Sequence, residues 1–171
     1  MDKNREPATK TEKNTTSTEY LSEVTLDENS LRPVSRDIMH ERRVAIYDLL
    51  EENSFRVLNA SGGPYLLHLS ARDNRLIFEI RDKSGDFNHM IALSMSSFRR
   101  IIKDYFAMLE VYYEAICTAP PSRIEAIDMG RRGVHDEGSE ILVKRLEGKV
   151  EVDKATARRL FTLICALHWK P

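Results

Sequence analysis

The sequence predicts an α+β fold: an antiparallel β-meander of three to five strands, with one helix before it and three C-terminal helices. Three observations carry that prediction. Between Tyr65 and Met95, short segments of alternating apolar residues are separated by turn residues, which is the pattern of hairpin-connected strands. From Ser97 to Leu167, apolar residues recur at helical spacing. A sheet with one apolar face and helices with one apolar stripe bury each other most simply as two layers.

The elements follow in chain order. Residues 1–18 are Lys, Thr, Glu, Asn and little else, too polar to offset the entropy of ordering, and read as a disordered tail ahead of one α+β domain over 19–171. Tyr20 to Leu26 is rich in β-formers and reads as a short strand at a sheet edge. After Pro33, Ser35 or Asp37 caps a helix reaching about Asn53, with Ile38, Arg42, Ala45, Ile46 and Leu49 on one face. Phe55 to Leu58 is a short strand, and Gly62-Gly63-Pro64 a turn. Tyr65–Ser70, Arg75–Arg81 and His89–Met95 are the meander, turning at Ala71 to Asn74 and at Lys83 to Asp86.

Everything after Ser96 reads as helix. Ser97 caps a helix to about Thr118 with a wide stripe (Phe98, Ile101, Ile102, Tyr105, Phe106, Leu109, Tyr112, Tyr113 and Ile116), which predicts packing on two neighbours. Pro120-Pro121 ends it, and Ser122-x-x-Glu125 reads as a capping box for a third helix to about Glu147. Asp153 caps the last helix, with Ala157, Leu160, Phe161, Ile164 and Leu167 inward.

Composition bounds the function. The chain has 171 residues and a formal net charge of −1. A nucleic-acid partner is unfavoured without a basic excess, although a local patch stays open. No apolar run is long enough for a membrane span, and the N-terminus has no apolar signal region, so the cytoplasm is the expected location. Cys117 and Cys165 read as reduced, buried small hydrophobes. The nucleotide-binding glycine motifs, the zinc-hydrolase motif, the nucleophile elbow and the calcium loop are absent, and no cofactor is implied. His40, His68, His89 and His168 are scattered over four elements, so no metal site is expected.

The unusual segment is Asp128 to Glu140, with three glycines inside the third helix. Each glycine costs about 1 kcal/mol against alanine there. Gly130 and Gly138 share a face with Ile127, Val134 and Ile141, so either a neighbouring helix approaches closely or the backbone kinks or meets a ligand. Asp128, Arg132, His135 and Ser139 form an adjoining stripe in which Asp128 can pair with Arg132 and His135 can bond Ser139. Arg131 falls near the apolar face and needs a carboxylate or carbonyl partner. A solvated, ion-paired helix face explains this stripe. The alternative is a ligand site, or an enzyme site, built on Asp128, Arg132 and His135, with Arg131 or Glu140 assisting. Arginine pairs at Arg42-Arg43, Arg99-Arg100, Arg131-Arg132 and Arg158-Arg159 offer an RNA-binding alternative only if their members converge.

Three runs carry a resemblance: Glu41-Arg-Arg-Val-Ala-Ile-Tyr-Asp-Leu-Leu-Glu-Glu-Asn53, Glu125-Ala-Ile-Asp-Met-Gly-Arg-Arg-Gly133, and Arg159 to Cys165 with His168-Trp169. From about residue 20 to the C-terminus the chain resembles uncharacterised protein family 0262, a family of unknown function found mainly in alphaproteobacteria. The resemblance implies a bacterial cytoplasmic protein and transfers no catalytic residue. With catalytic motifs missing and the charge near neutral, the expected role is a non-enzymatic binding or regulatory protein acting through a protein partner, or as a homodimer.

Overall fold

The computed structural model describes residues 17–60 and 62–168. The tail expected over residues 1–18 therefore lies almost wholly outside the described residues, as does Trp169.

The order is β1 (Leu21–Leu26), α1 (Arg36–Glu51), β2 (Phe55–Val57), β3 (Tyr65–Arg72), β4 (Arg75–Asp82), β5 (Asn88–Ser94), α2 (Arg99–Thr118), α3 (Pro121–Leu146), β6 (Val150–Val152) and α4 (Lys154–Leu167). The main sheet has four strands in the order β1-β3-β4-β5, and β2 with β6 forms a separate two-stranded ribbon. The fold is α+β, with the early helix and the three later helices of the sequence reading.

The meander is antiparallel through β3, β4 and β5, as expected. β1 lies at the sheet edge but pairs parallel with β3, so the sheet is mixed. The cause is α1. A helix between two strands returns the chain to the end from which it started, and the next strand runs in the same direction. The expected turn at Ala71 to Asn74 tightens to Asp73 and Asn74, both at positive φ. This two-residue connection lets β3 and β4 pair out to Arg72 opposite Arg75.

Period-two alternation places Tyr65, Leu67, Leu69, Leu76, Phe78, Ile80, Ile91 and Leu93 on the buried face. α4 is the central helix. Its buried residues include Ala157, Leu160, Phe161, Leu163, Ile164, Cys165 and Leu167, more than one stripe, so it is enclosed on several sides. α1 and α3 both pack on it, and α2 packs on α3. Cys165 is buried, as expected; Cys117, near the exposed end of α2, is not.

Local chemistry sets the boundaries. Ser35 caps α1 by accepting from the Ile38 amide, and Asp153 caps α4 by accepting from the Thr156 amide at 2.8 Å. Asn53 closes the other end of α1. Its Nδ2 donates to the Leu49 and Leu21 carbonyls, and its Oδ1 accepts from the Leu21 amide at 2.7 Å, which ties helix to strand. Two expected caps are replaced. Met95 to Ser97 form a 3-10 turn capped by Ser94, and α2 then starts at Arg99 with no side-chain cap from Ser97. α3 starts at Pro121 itself, so Ser122 lies inside the helix and makes no capping box with Glu125; proline needs no amide at that first position. The segment after Ser96 is not all helix: β6 is too short to show an alternation, and only its pairing with β2 defines it.

Candidate functional site

α3 runs unbroken through its three glycines. A Cβ on Gly138 would stand 2.3–2.5 Å from three atoms of the Phe161 ring on α4, and one on Gly130 would stand 2.6 Å from Met108 Cε on α2. These two glycines allow close helix approach. Gly133 faces open space.

The stripe beside them is an ion-paired helix face. Asp128 lies 3.2 Å from Arg132 and 3.8 Å from Arg131. The Arg131 guanidinium also sits 4.1 Å from the centroid of the Tyr112 ring on α2, a cation–π contact worth about 1 kcal/mol. His135 does not bond Ser139. Its Nδ1 lies 2.9 Å from the Arg131 carbonyl, and because a carbonyl only accepts, Nδ1 carries the proton. The Ser139 hydroxyl donates instead to the Asp136 carbonyl. Glu140 lies apart, on the rim of a cleft of about 710 Å³ between α3 and the β2–β6 ribbon. The five residues singled out by the sequence therefore do not converge on one cavity.

The His135 ring packs edge-on to Tyr105 (5.4 Å) and Phe161 (6.2 Å). Burial lowers its pKa below the ordinary value of 6.5, opposed by the Arg131 carbonyl and reinforced by the Arg158 and Arg131 charges. The unfolded chain thus takes up a proton more readily than the folded one. Stability is complete above about pH 6.5 and falls as pH drops through that value toward the lower folded pKa. Urea titrations across this range are expected to show that loss, and His135→Gln is expected to flatten it. Burial also pushes Tyr105 up to about 12, so its hydroxyl stays neutral near pH 7.

The cavity that unites several elements was not read from the sequence. α2 carries two seams. Tyr105, Met108 and Tyr112 meet α3. Ile102, Phe106, Leu109, Tyr113 and Ile116 form the second seam, at spacings of four, three, four and three residues. The body buries its first member, Ile102; its last two, Tyr113 and Ile116, are 51% and 47% exposed. Between them the seam floors a groove of about 380 Å³ between α2, the first turns of α1 and the end of α4. Ile38, Phe106, Leu109, Tyr113 and Ala166 give it apolar walls, and the charged groups on its rim are Asp37 and Glu41. The wide stripe of α2 was the one sequence signal for it.

Among the described residues, no group of three or more His, Cys, Asp or Glu is placed to hold a metal ion, and no helix is long and apolar enough to cross a membrane. The model of the uncharacterised protein family UPF0262 matches residues 18–170. A UPF0262 protein of Nitrobacter winogradskyi is 58% identical over 86% of this chain and 88% of its own length. Those of Xanthobacter autotrophicus and Rhizobium etli are each 56% identical over 88% of this chain, covering 92% and 95% of their own lengths. No solved structure matches at a significant level.

Proposed function

We propose, for a chain that belongs to the uncharacterised protein family UPF0262, a binding role: the groove between α1, α2 and α4 receives a basic amphipathic helix of a protein partner. The observation that carries this reading is the second seam of α2, which runs from the buried Ile102 out to the exposed Tyr113 and Ile116. An apolar stripe that stays exposed along its outer half is what a helix-in-groove partner covers, reading anchors at i, i+3, i+4 and i+7. Rim charge selects the partner's sign. Asp37 and Glu41 border the groove, and Glu110 and Glu114 lie on the outer half of α2, so lysine or arginine beside the anchors is favoured and acidic flanks are repelled.

Fluorescence anisotropy with an 18-residue leucine/lysine helical peptide tests this, against its leucine/glutamate counterpart. The lysine peptide is expected to bind and the glutamate peptide not to. Leu109→Asp and Glu41→Lys are each expected to weaken binding about tenfold, the scale of losing one well-packed anchor or charge contact. Equal binding of both peptides, or equal binding by Leu109→Asp, would contradict the groove as the site.

A further inference from the structure

We propose that a second site in this protein binds a small molecule bearing adjacent phosphates, in a cleft lined by Arg32, Arg72, Arg75 and Arg99. These arginines come from the loop after β1, the two sides of the β3–β4 turn and the first residue of α2. They border one cleft of about 440 Å³, where Asp73 supplies the only carboxylate among the described residues, in a chain whose net charge is −1. Among the described residues none of the four makes an ion pair or a side-chain hydrogen bond. Of the other arginines singled out as pairs, all but Arg43 are engaged: Arg42 bonds the Ala166 and Leu167 carbonyls, Arg100 pairs with Asp104 and Glu137, Arg131 and Arg132 with Asp128 and Arg158 with Asp136, while Arg159 bonds the Glu52 carbonyl.

The position of two of them sharpens the point. Arg72 and Arg75 are direct cross-strand partners beside a two-residue turn. Like charges directly opposite each other destabilise a hairpin, and among the described residues neither arginine is in an ion pair. Guanidinium forks around one cleft match the geometry and charge of phosphate oxygens. An adjoining cleft of about 530 Å³ shares Asn74, Met95, Arg99 and His168 with the first and adds Ile102, Phe106, Lys103 and Glu110. It offers an apolar wall, one further cation in Lys103 and the Glu110 carboxylate to whatever the phosphates are attached to. Two joined pockets of this size suit a small molecule, whereas a nucleic acid would need cations continued in a stripe along the surface.

Isothermal titration of the full chain with inorganic pyrophosphate, adenosine triphosphate and adenosine tests the site. Pyrophosphate and the triphosphate are expected to bind and adenosine not to. Arg72→Gln and Arg99→Gln are each expected to weaken binding about tenfold or more, while Arg132→Gln on α3 leaves it unchanged. Without ligand, Arg75→Gln is expected to keep or raise the melting temperature, because it relieves the like-charge pair. The proposal is overturned if neither anion binds at millimolar concentration or if Arg132→Gln weakens binding as much as Arg72→Gln. It is equally overturned if Arg75→Gln lowers the melting temperature, or if a single-stranded RNA 12-mer binds and pyrophosphate does not displace it.

Discussion

Gly138→Ala is expected to cost about 3 kcal/mol, at the upper end of the range for overpacking a core. The added carbon would enter the Phe161 ring at 2.3–2.5 Å. Phe161 cannot swing away, because it is fully buried and its ring stands edge-on to Tyr105 and His135. α3 and α4 must separate, or the ring must leave its rotamer. Against this, alanine gains about 1 kcal/mol of helix propensity, which the clash exceeds. Two controls isolate the cause. Gly133→Ala, on the same helix with nothing near its Cβ, is expected to stabilise by up to about 1 kcal/mol. Gly130→Ala meets only the flexible end of Met108 and is expected to cost little. Urea midpoints of the three variants give the comparison. Pairing Gly138→Ala with Phe161→Leu is expected to be less harmful than the sum of the two, since both act on one contact.

Arg42→Ala is expected to lose about 3 kcal/mol, or roughly 6–12 °C in melting temperature for a chain of this size. Arg42 is a buried arginine in the middle of α1, 6% exposed. It reaches the C-terminal end of α4, donating from Nε to the Ala166 carbonyl at 3.1 Å and from Nη2 to the Leu167 carbonyl at 3.4 Å. The last carbonyls of a helix lack internal partners and carry the negative end of its dipole, so a buried cation there satisfies both needs. Burial lowers the guanidinium pKa and the charge of Glu28 opposes that. Alanine would leave two carbonyls without their donor and a cavity besides. Arg42→Met restores most of the volume and is expected to recover only the packing share, and calorimetric melting of both variants separates the two contributions.

The sequence reached the elements more readily than their directions. Alternation marks a strand and its buried face, and Leu76, Phe78 and Ile80 were assigned inward by that rule and are fully buried. It says nothing about orientation, so β1 was grouped with an antiparallel meander until the crossover through α1 showed it parallel. Three residues are too few to alternate, and Val150–Val152 falls in the gap that the sequence leaves between the helix ending near Glu147 and the one capped by Asp153. On α3 the wheel gave the Asp128–Arg132 pair and the close approach at Gly130 and Gly138. It missed the partner of His135 because a neutral imidazole between aromatic rings turns back to its own helix carbonyl. Neither the groove nor the arginine cleft was legible. The first joins Ile38, Leu109 and Ala166, the second Arg32, Arg72 and Arg99, and only the tertiary fold gathers residues so far apart in the chain.

Photo-crosslinking in the native host, with a photoreactive amino acid replacing Tyr113, tests the central claim of partner docking most directly. Tyr113 and Tyr47 are both well exposed, but only Tyr113 borders the groove. The account predicts a discrete adduct from position 113, absent from position 47 and lost with Glu41→Lys. By mass spectrometry, its crosslinked peptide should be an apolar helical segment flanked by lysine or arginine. The same adducts from both positions, or a crosslinked segment with acidic flanks, would contradict it.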